Sequence, residues 1–541
     1  MNIIILHFLL FLFLIYSNGK IYFKYIHNNN INLNFFETSL FGLIITGFIA
    51  QIFNFIIPLN NYILYLNILI CLLFLFNNFN YYKLEIKKIE FFFYLFVFIF
   101  TVILIYGSPF SDDLNHYHAS YISNIDNSKL IIGSNFLHHH YGLSSIWLIL
   151  HSYLNFNTSL LQDIHVLNGI IFFLVLCVLF KKILFNSNLK NKLNFTPIFT
   201  FLIFFLILKY SRLKEFGIDR PGFLIIIFTI YYFLNNFFYK KNIQIFHFIN
   251  LFILTFFLFS IKIIFLPFLI LSLIYFIYEI KLKLLFTSKE ILIILIFGLS
   301  FALKNILISG CLIYPIEITC IEVLQWNSKE IASNLSFGAE VVNKSYNTYQ
   351  GNLSPIVYIK NMNWIENWYL TNYKQLLDYI LVLLVSCFFT FIIFKKNKSA
   401  KYDKKIIILS LILLMLSLFI ASKTPVIRMF HHVFYLIGII LITFFLNFSS
   451  INLKKNYFII LLIICFSFTL NKNVNRIIKS NYKNDPISHI KEINWYQTPK
   501  KRNLDGFIYY DGWIDASPLG NENLDKLNYT KKFTFDIIYK K

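Results

Sequence analysis

Two adjacent carboxylates, Asp112 and Asp113, follow the fourth long apolar stretch of the chain, within the segment SPFSDDLNHYH. A carboxylate near a membrane surface can act as a general base that removes a proton from an acceptor hydroxyl while a leaving group departs. Because Ser111 and the two aspartates precede a stretch compatible with a helix, they could instead cap the N-terminus of that helix. Taken alone, the acid pair leaves both roles open.

Histidines lie close to the acid pair in the sequence. His116 and His118 could bind a phosphate or orient a carboxylate, and they could equally lie solvated in the loop. The run from His138 to His140 suggests a metal site, but consecutive side chains on a helix diverge, whereas metal ligands must converge from several elements. The chain also lacks a CxxC pair. We therefore expect no metal ligands and no resident cofactor here, and dependence on a divalent metal stays open.

The composition indicates which elements position these residues. The 541 residues are 58% hydrophobic and only 14% charged, whereas about a quarter of a soluble domain is charged. The apolar residues fall in blocks of about 17–22, the length that a helix needs to cross a membrane, and nothing alternates as in a β-barrel. We therefore predict an all-α polytopic transmembrane bundle with spans at 2–17, 39–58, 62–78, 90–107, 166–184, 197–209, 221–237, 245–261, 264–280, 290–308, 375–394, 405–421, 427–447 and 456–470.

The charge distribution predicts the sidedness of this bundle. The net charge of +22 comes mainly from lysines beside the spans, and such lysines mark cytoplasmic connections rather than a nucleic-acid site. If every span crosses, the lysine-bearing connections share the cytoplasmic side of the inner (cytoplasmic) membrane, and the long loops and the tail share the other. The predicted regions are helices 1–107, outer loop 108–165, helices 166–308, outer loop 309–374, helices 375–470 and an extracytoplasmic tail 471–541.

Two features of the outer loops complete the prediction. The amphipathic stretch 143–154 is too short and too polar to span, so we expect it to lie in the membrane interface. Cys311 and Cys320 share the second outer loop, where an oxidising compartment permits a disulfide between them.

The residues around the acid pair resemble a family. An acidic pair in the first large outer loop, followed by Tyr117 and His118, resembles the signature of the C-type glycosyltransferase superfamily, multi-pass enzymes that use polyprenyl-phosphate sugars. The D-x-x-x-Y-H spacing from Asp113, the stretch 135–142 and the stretch 310–315 are also similar to bacterial multi-pass proteins of unassigned function associated with surface polysaccharides. The resemblance covers residues 100–350. The superfamily often has Asp-Glu where this chain has Asp112 and Asp113.

The resemblance implies a membrane enzyme that moves a sugar from a polyprenyl-phosphate donor to a glycan or lipid acceptor on the extracytoplasmic face. Asp113 or Asp112 would be the general base. In the superfamily a basic residue near the outer ends of later spans commonly binds the donor phosphate, and the candidates here are Arg428, Arg220, Lys262 and Lys304. The substrate-binding candidates within the motifs are His116, Tyr117, His118 and His139. Arginine is scarce in this chain, and a guanidinium suits a phosphate through paired donors, so Arg428 stands out. It could also simply reach to the membrane interface.

Two other functions compete with this one. A polysaccharide polymerase or ligase would also use an outer loop and arginines for an anionic lipid-linked chain. A transporter or flippase of lipid-linked glycans would need no covalent chemistry, but it would be expected to hold titratable groups within its spans, whereas this chain keeps Asp and Glu almost wholly in loops. The sequence therefore favours the enzyme, with membrane lipid, the lipid-linked sugar and the acceptor as its partners.

Overall fold

A computed structural model of the protein describes residues 2–27, 33–79, 87–106, 113–154, 160–185, 195–210, 213, 217–238, 245–281, 288–394, 404–446, 453–479, 500–511, 527–532 and 534–540. The predicted base Asp112 lies outside these residues.

The described part of the chain is mostly helical. Its α-helices are α1 (Asn2–His27), α2 (Phe35–Asn54), α3 (Asn61–Asn77), α4 (Lys88–Tyr106), α5 (Ala119–Asn127), α6 (Ile146–Tyr153), α7 (Leu160–Phe180), α8 (Thr196–Lys209), α9 (Asp219–Phe233), α10 (Ile245–Ile261), α11 (Leu269–Lys281), α12 (Ser288–Ser309), α13 (Lys329–Asn343), α14 (Pro355–Lys360), α15 (Trp364–Ile393), α16 (Lys404–Lys423), α17 (His431–Phe445) and α18 (Lys455–Lys479).

Eight of the described helices are long and apolar enough to cross a membrane, namely α1, α2, α4, α7, α12, α15, α16 and α18. Each of the fourteen predicted spans overlaps a helix. Several predicted ends differ from the structure. α15 begins at Trp364 rather than at residue 375, inside the predicted second outer loop, and α18 continues to Lys479 rather than ending at residue 470, inside the predicted tail. Two further differences concern the first helix and the span predicted from residue 264. The first helix continues to His27, so Lys20 and Lys24 lie on it rather than in a connection. The span predicted from residue 264 begins as a 3-10 turn, Ile263–Phe268, because Pro267 cannot donate an α-helical hydrogen bond.

Burial separates central from peripheral helices. The rest of the protein buries 89% of the most apolar stretch of α7 and 83% of that of α2, but only 22% of that of α16. α7 contacts α1, α2, α4 and α9. Met415 and Phe419 of α16 are exposed, and apolar side chains on a peripheral helix suit a lipid-facing surface.

The amphipathic stretch 143–154 does not lie on the surface of the bundle. Its helix α6 has all eight side chains buried and packs against α2 and α5. Trp147 is fully buried, and the hydroxyl of Ser152 donates to the carboxylate of Asp126 on α5. Ser152 is one of the few polar residues that make the stretch look amphipathic, and its hydroxyl bonds inside the protein. Protein rather than the membrane interface therefore surrounds the helix.

The described strands of the tail form two antiparallel hairpins that dock on the first loop. β1 (Lys500–Leu504) pairs with β2 (Phe507–Asp511), and β3 (Leu527–Lys532) pairs with β4 (Phe535–Lys540). Ile132 forms a parallel β-bridge with Ile537. Lys540 reaches Glu330 of the second long loop at 3.2 Å. The first loop, the second loop and the tail therefore lie together at one end of the bundle.

Candidate functional site

The predicted base Asp113 begins the segment that enters α5. A single π-helical turn, Leu114–His118, follows Asp113 and leads into α5. The N-cap of α5 is His118, which makes no side-chain capping hydrogen bond. Asp113 itself is 41% exposed, while Tyr117 and His118 turn into the protein. The turn thus presents the carboxylate at the surface of the bundle end and buries the two residues that follow it in the motif.

Asp113 lies against the predicted phosphate-binding residue. Its Oδ2 atom is 3.7 Å from Nη2 of Arg428, whose side chain is 54% exposed. Arg428 lies in the 3-10 turn Ile427–Met429, between α16 and α17. An exposed ion pair of this kind contributes less than about 1 kcal/mol. Both charged groups therefore stay accessible to another partner.

A second ion pair stands beside the first. Nζ of Lys262 lies 2.6 Å from Oδ1 of Asp219, and each side chain is only 19% exposed. Asp219 opens α9, and Lys262 lies between α10 and the 3-10 turn that precedes α11. The structure thus pairs the candidate Lys262 with an acid that the sequence interpretation missed. The available signal was its place between the predicted spans 197–209 and 221–237, in a connection that falls on the same side as the acid pair if every span crosses.

His118 lies within electrostatic range of Asp113 in the first pair and of Asp219 and Lys262 in the second. It is buried, and neither ring nitrogen has a hydrogen-bond partner among the described residues. Burial lowers the pKa of His118 to about 4, although the carboxylates of Asp113 and Asp219 favour its charged form. His118 is therefore neutral at pH 7, and its role is closer to a buried polar group than to a solvated loop residue.

The histidine run faces the acid-bearing turn. The rings of His138 and His140 lie 5.0 and 5.2 Å from the ring of His116, measured between centroids, and 5.3 Å from each other. Tyr117 stacks on His140 at 4.7 Å. Burial lowers the pKa of His138 and that of His140 to about 2, and the pKa of His139 to about 4. The run was expected to diverge, but two of its rings converge with a histidine from another element.

The second loop holds the histidine run in place. The hydroxyl of Tyr314 donates to the backbone carbonyl of His139 at 3.0 Å. Tyr314 follows closely on Cys311, which forms a disulfide with Cys320. His139 is buried at this contact. The stretches 135–142 and 310–315, which carry the family resemblance, are thus in contact with each other.

The remaining basic candidates, Lys304 and Arg220, interact with other groups. Lys304 is buried in α12, and its ammonium group donates to the backbone carbonyl of Ser144. This contact supports the loop at a residue with a positive φ of 28°. Arg220 interacts electrostatically with Lys209 and His431 at the ends of α8 and α17. The structure brings Asp113, Arg428 and the pair Lys262–Asp219 into one region, and Lys304 is engaged elsewhere.

This arrangement combines a carboxylate that can accept a proton with cations that can bind an anion. Asp113 and Arg428 are accessible, and the pair of Lys262 with Asp219 is more buried. A guanidinium offers five N–H donors and no acceptor, which fits a phosphate or a carboxylate. The site can therefore hold an anionic group next to a general base.

Comparison with known proteins places this arrangement in a family. No curated protein and no solved structure matches the chain. A family model described as a domain of unknown function, DUF8201, matches residues 1–435. The matched range includes Asp113, the histidine run and Arg428 and ends within α17. The chain therefore belongs to the DUF8201 family.

Proposed function

We propose that this protein is a glycosyltransferase of the cytoplasmic membrane that moves a sugar from a polyprenyl-phosphate donor to a surface-glycan or lipid acceptor on the extracytoplasmic face. The 3.7 Å approach of Asp113 to Arg428 carries the proposal. Sugar transfer needs a base for the acceptor hydroxyl and a cation for the donor phosphate within one site. These two residues come from opposite halves of the chain, and each was a candidate for one of the two roles.

The weak ion pair suggests how the two roles alternate. Without donor, Arg428 faces Asp113; when the donor phosphate binds Arg428, the carboxylate is released to accept a proton. The acceptor hydroxyl gives its proton to Asp113 as its oxygen bonds to the anomeric carbon of the sugar. The bond between that carbon and the phosphate oxygen breaks, and polyprenyl phosphate leaves with the electron pair. Since the pair is exposed, exchanging carboxylate for phosphate costs less than about 1 kcal/mol.

The position of acids on the membrane helices supports an enzyme over a transporter. Glu37 lies in the first turn of α2, where it forms a capping box with Asn34, and Glu90 lies in the first turn of α4. A transporter would be expected to hold such groups near the middle of interrupted helices. A polysaccharide polymerase or ligase would use the same pair and would differ in the length of its product.

The test uses the full-length protein in lipid nanodiscs with a panel of undecaprenyl-phosphate-linked hexoses and a glycolipid acceptor extract. Release of undecaprenyl phosphate and titrated binding of undecaprenyl phosphate are both measured. Arg428→Ala should weaken binding about ten- to a hundredfold, because charge-assisted hydrogen bonds contribute about 1.5–3 kcal/mol. Arg428→Lys should restore part of the binding, since lysine lacks the paired donors.

A matched control is Arg502→Ala, which removes an arginine from the tail, where it pairs with Asp511 at 2.9 Å. This variant should bind undecaprenyl phosphate as the parent does. Unchanged binding by Arg428→Ala, or no release from any donor by the parental protein, would contradict the proposal.

A further inference from the structure

We propose that His116, His138 and His140 form a site for a divalent transition-metal ion, with Zn²⁺ as the best fit, at the same end of the bundle as Asp113. This site revises the expectation that the histidine run would supply no metal ligands. It does not depend on sugar transfer, because the three rings alone define it.

The positions of the three rings fit a metal centre. A Zn–N bond of 2.0–2.1 Å and tetrahedral angles would place the centroids of coordinating imidazoles roughly 5.2 Å apart. The observed centroid separations are 5.0, 5.2 and 5.3 Å, so the rings form a nearly equilateral triangle of that size. The ring of His139 packs against those of His138 and His140, at 4.8 and 4.1 Å, but lies 6.3 Å from that of His116, so it does not form such a triangle with His116.

The ring orientations need a smaller adjustment. One nitrogen from each ring lies within 4.8 Å of the others, whereas nitrogens that share a tetrahedral Zn²⁺ lie roughly 3.3 Å apart. Rotation about the Cβ–Cγ bond moves the nitrogens and leaves the centroids nearly in place, and this torsion has a broad energy minimum. Ligand binding can therefore close the site with little movement of the backbone.

The surroundings leave nitrogens available for a metal. Nε2 of His138 and Nδ1 of His140 are buried and have no hydrogen-bond partner within the described part of the chain. Nδ1 of His138 accepts the backbone N–H of His140 at 3.2 Å. When Nε2 binds a metal, the ring proton must move to Nδ1, so this long contact must open.

The backbone fixes the ligands from two separate elements. His116 comes from the π-helical turn before α5, and the other two come from the segment around the 3-10 turn His139–Leu143. The side-chain oxygen of Asn135 accepts the backbone N–H of Gly142 at 3.0 Å, which closes that segment. Consecutive side chains diverge, but alternate residues of this tight turn both face His116.

The site would keep one position for an external ligand. His116 and His140 are only half-buried, so solvent can reach one side of the ion. Three neutral imidazoles leave the 2+ charge of the metal uncompensated, and the fourth ligand would be water or an anion such as a carboxylate or phosphate.

The experiment measures metal directly in the full-length protein, purified through a histidine-free tag and stripped with a chelator. After equilibrium dialysis against Zn²⁺, the metal content per chain is determined by mass spectrometry of the elements. Co²⁺ substitution then reports coordination through the visible absorption of a four-coordinate ion. We expect about one Zn²⁺ per chain and an intense Co²⁺ spectrum.

The variants His116→Ala, His138→Ala and His140→Ala should each weaken Zn²⁺ binding about a hundredfold or more, since even second-sphere partners contribute 10- to 100-fold. His139→Ala is the matched control from the same turn and should keep the parental affinity. Each variant is compared by size-exclusion profile, so a folding defect is seen separately.

Two results would overturn the proposal. One is a correctly folded parental protein that retains no Zn²⁺ and gives no four-coordinate Co²⁺ spectrum. The other is equal loss of metal from His139→Ala and from the three ligand variants, since the ion would then be held by something other than the assigned set.

Discussion

Lys262 and Asp219 join three helical elements of the site by a single contact of 2.6 Å, with both side chains four-fifths buried. Removing one member would leave the other charge without its partner in a poorly hydrated position. Lys262→Met should therefore lower the free energy of unfolding by about 1–3 kcal/mol, below the 3–5 kcal/mol seen for fully buried pairs because some water reaches this one. The apparent melting temperature in detergent is the measurement.

The double variant Lys262→Met with Asp219→Asn is the control for this effect. It removes both charges and should recover most of the lost stability, because the cost comes from the unpaired charge rather than from the missing bond. A double variant as unstable as the sum of both single variants would contradict a paired role.

Asp113→Asn tests the general base. The substitution keeps the size of the side chain but cannot accept a proton, so sugar transfer should fall by about two to four orders of magnitude. Binding of undecaprenyl phosphate should survive, because Arg428 remains. Asp112→Asn is the neighbouring control and should cost less. Parental transfer rates in both variants would remove the catalytic role.

Asn124 should hold the tail on the first loop. Its side-chain amide donates to the backbone carbonyl of Tyr510, and its side-chain oxygen accepts the N–H of Tyr510, both at 2.8 Å. Asn124→Ala removes both bonds, worth about 1–3 kcal/mol, and should speed proteolysis of the tail roughly tenfold or more. Asn127→Ala on the same helix, whose amide donates to the carbonyl of Ser123 on that helix, should leave the proteolysis rate unchanged.

Cysteine labelling tests the sidedness of the bundle. The four free native cysteines are buried, so they should give little background labelling. Single cysteines at Gln350 and Thr534, both exposed, should react with an impermeant reagent from the same side, and a cysteine at Lys88 should react only from the other. Labelling of Lys88 and Thr534 positions from one side would overturn the predicted topology.

The helices could be predicted from the sequence because hydrophobicity along the chain is a local property. A run of about twenty apolar residues forms a helix in lipid, because a helix satisfies every backbone hydrogen bond within the run. The candidate site residues Asp113 and Arg428 could also be recognised from the sequence, because few charged residues of these types lie beside the apolar stretches. Helix ends were less certain, as the extension of α1 to His27 and the 3-10 turn at Pro267 illustrate.

Only the tertiary structure decided which of these groups meet. Asp219 became Lys262's partner, and His116 joined His138 and His140, through the packing of elements distant in the chain. Lys304, which the sequence pattern did not distinguish from Lys262, donates instead to the backbone carbonyl of Ser144. Composition specifies that a polar group needs a partner, but side-chain packing across the whole bundle determines which partner comes within a few ångströms.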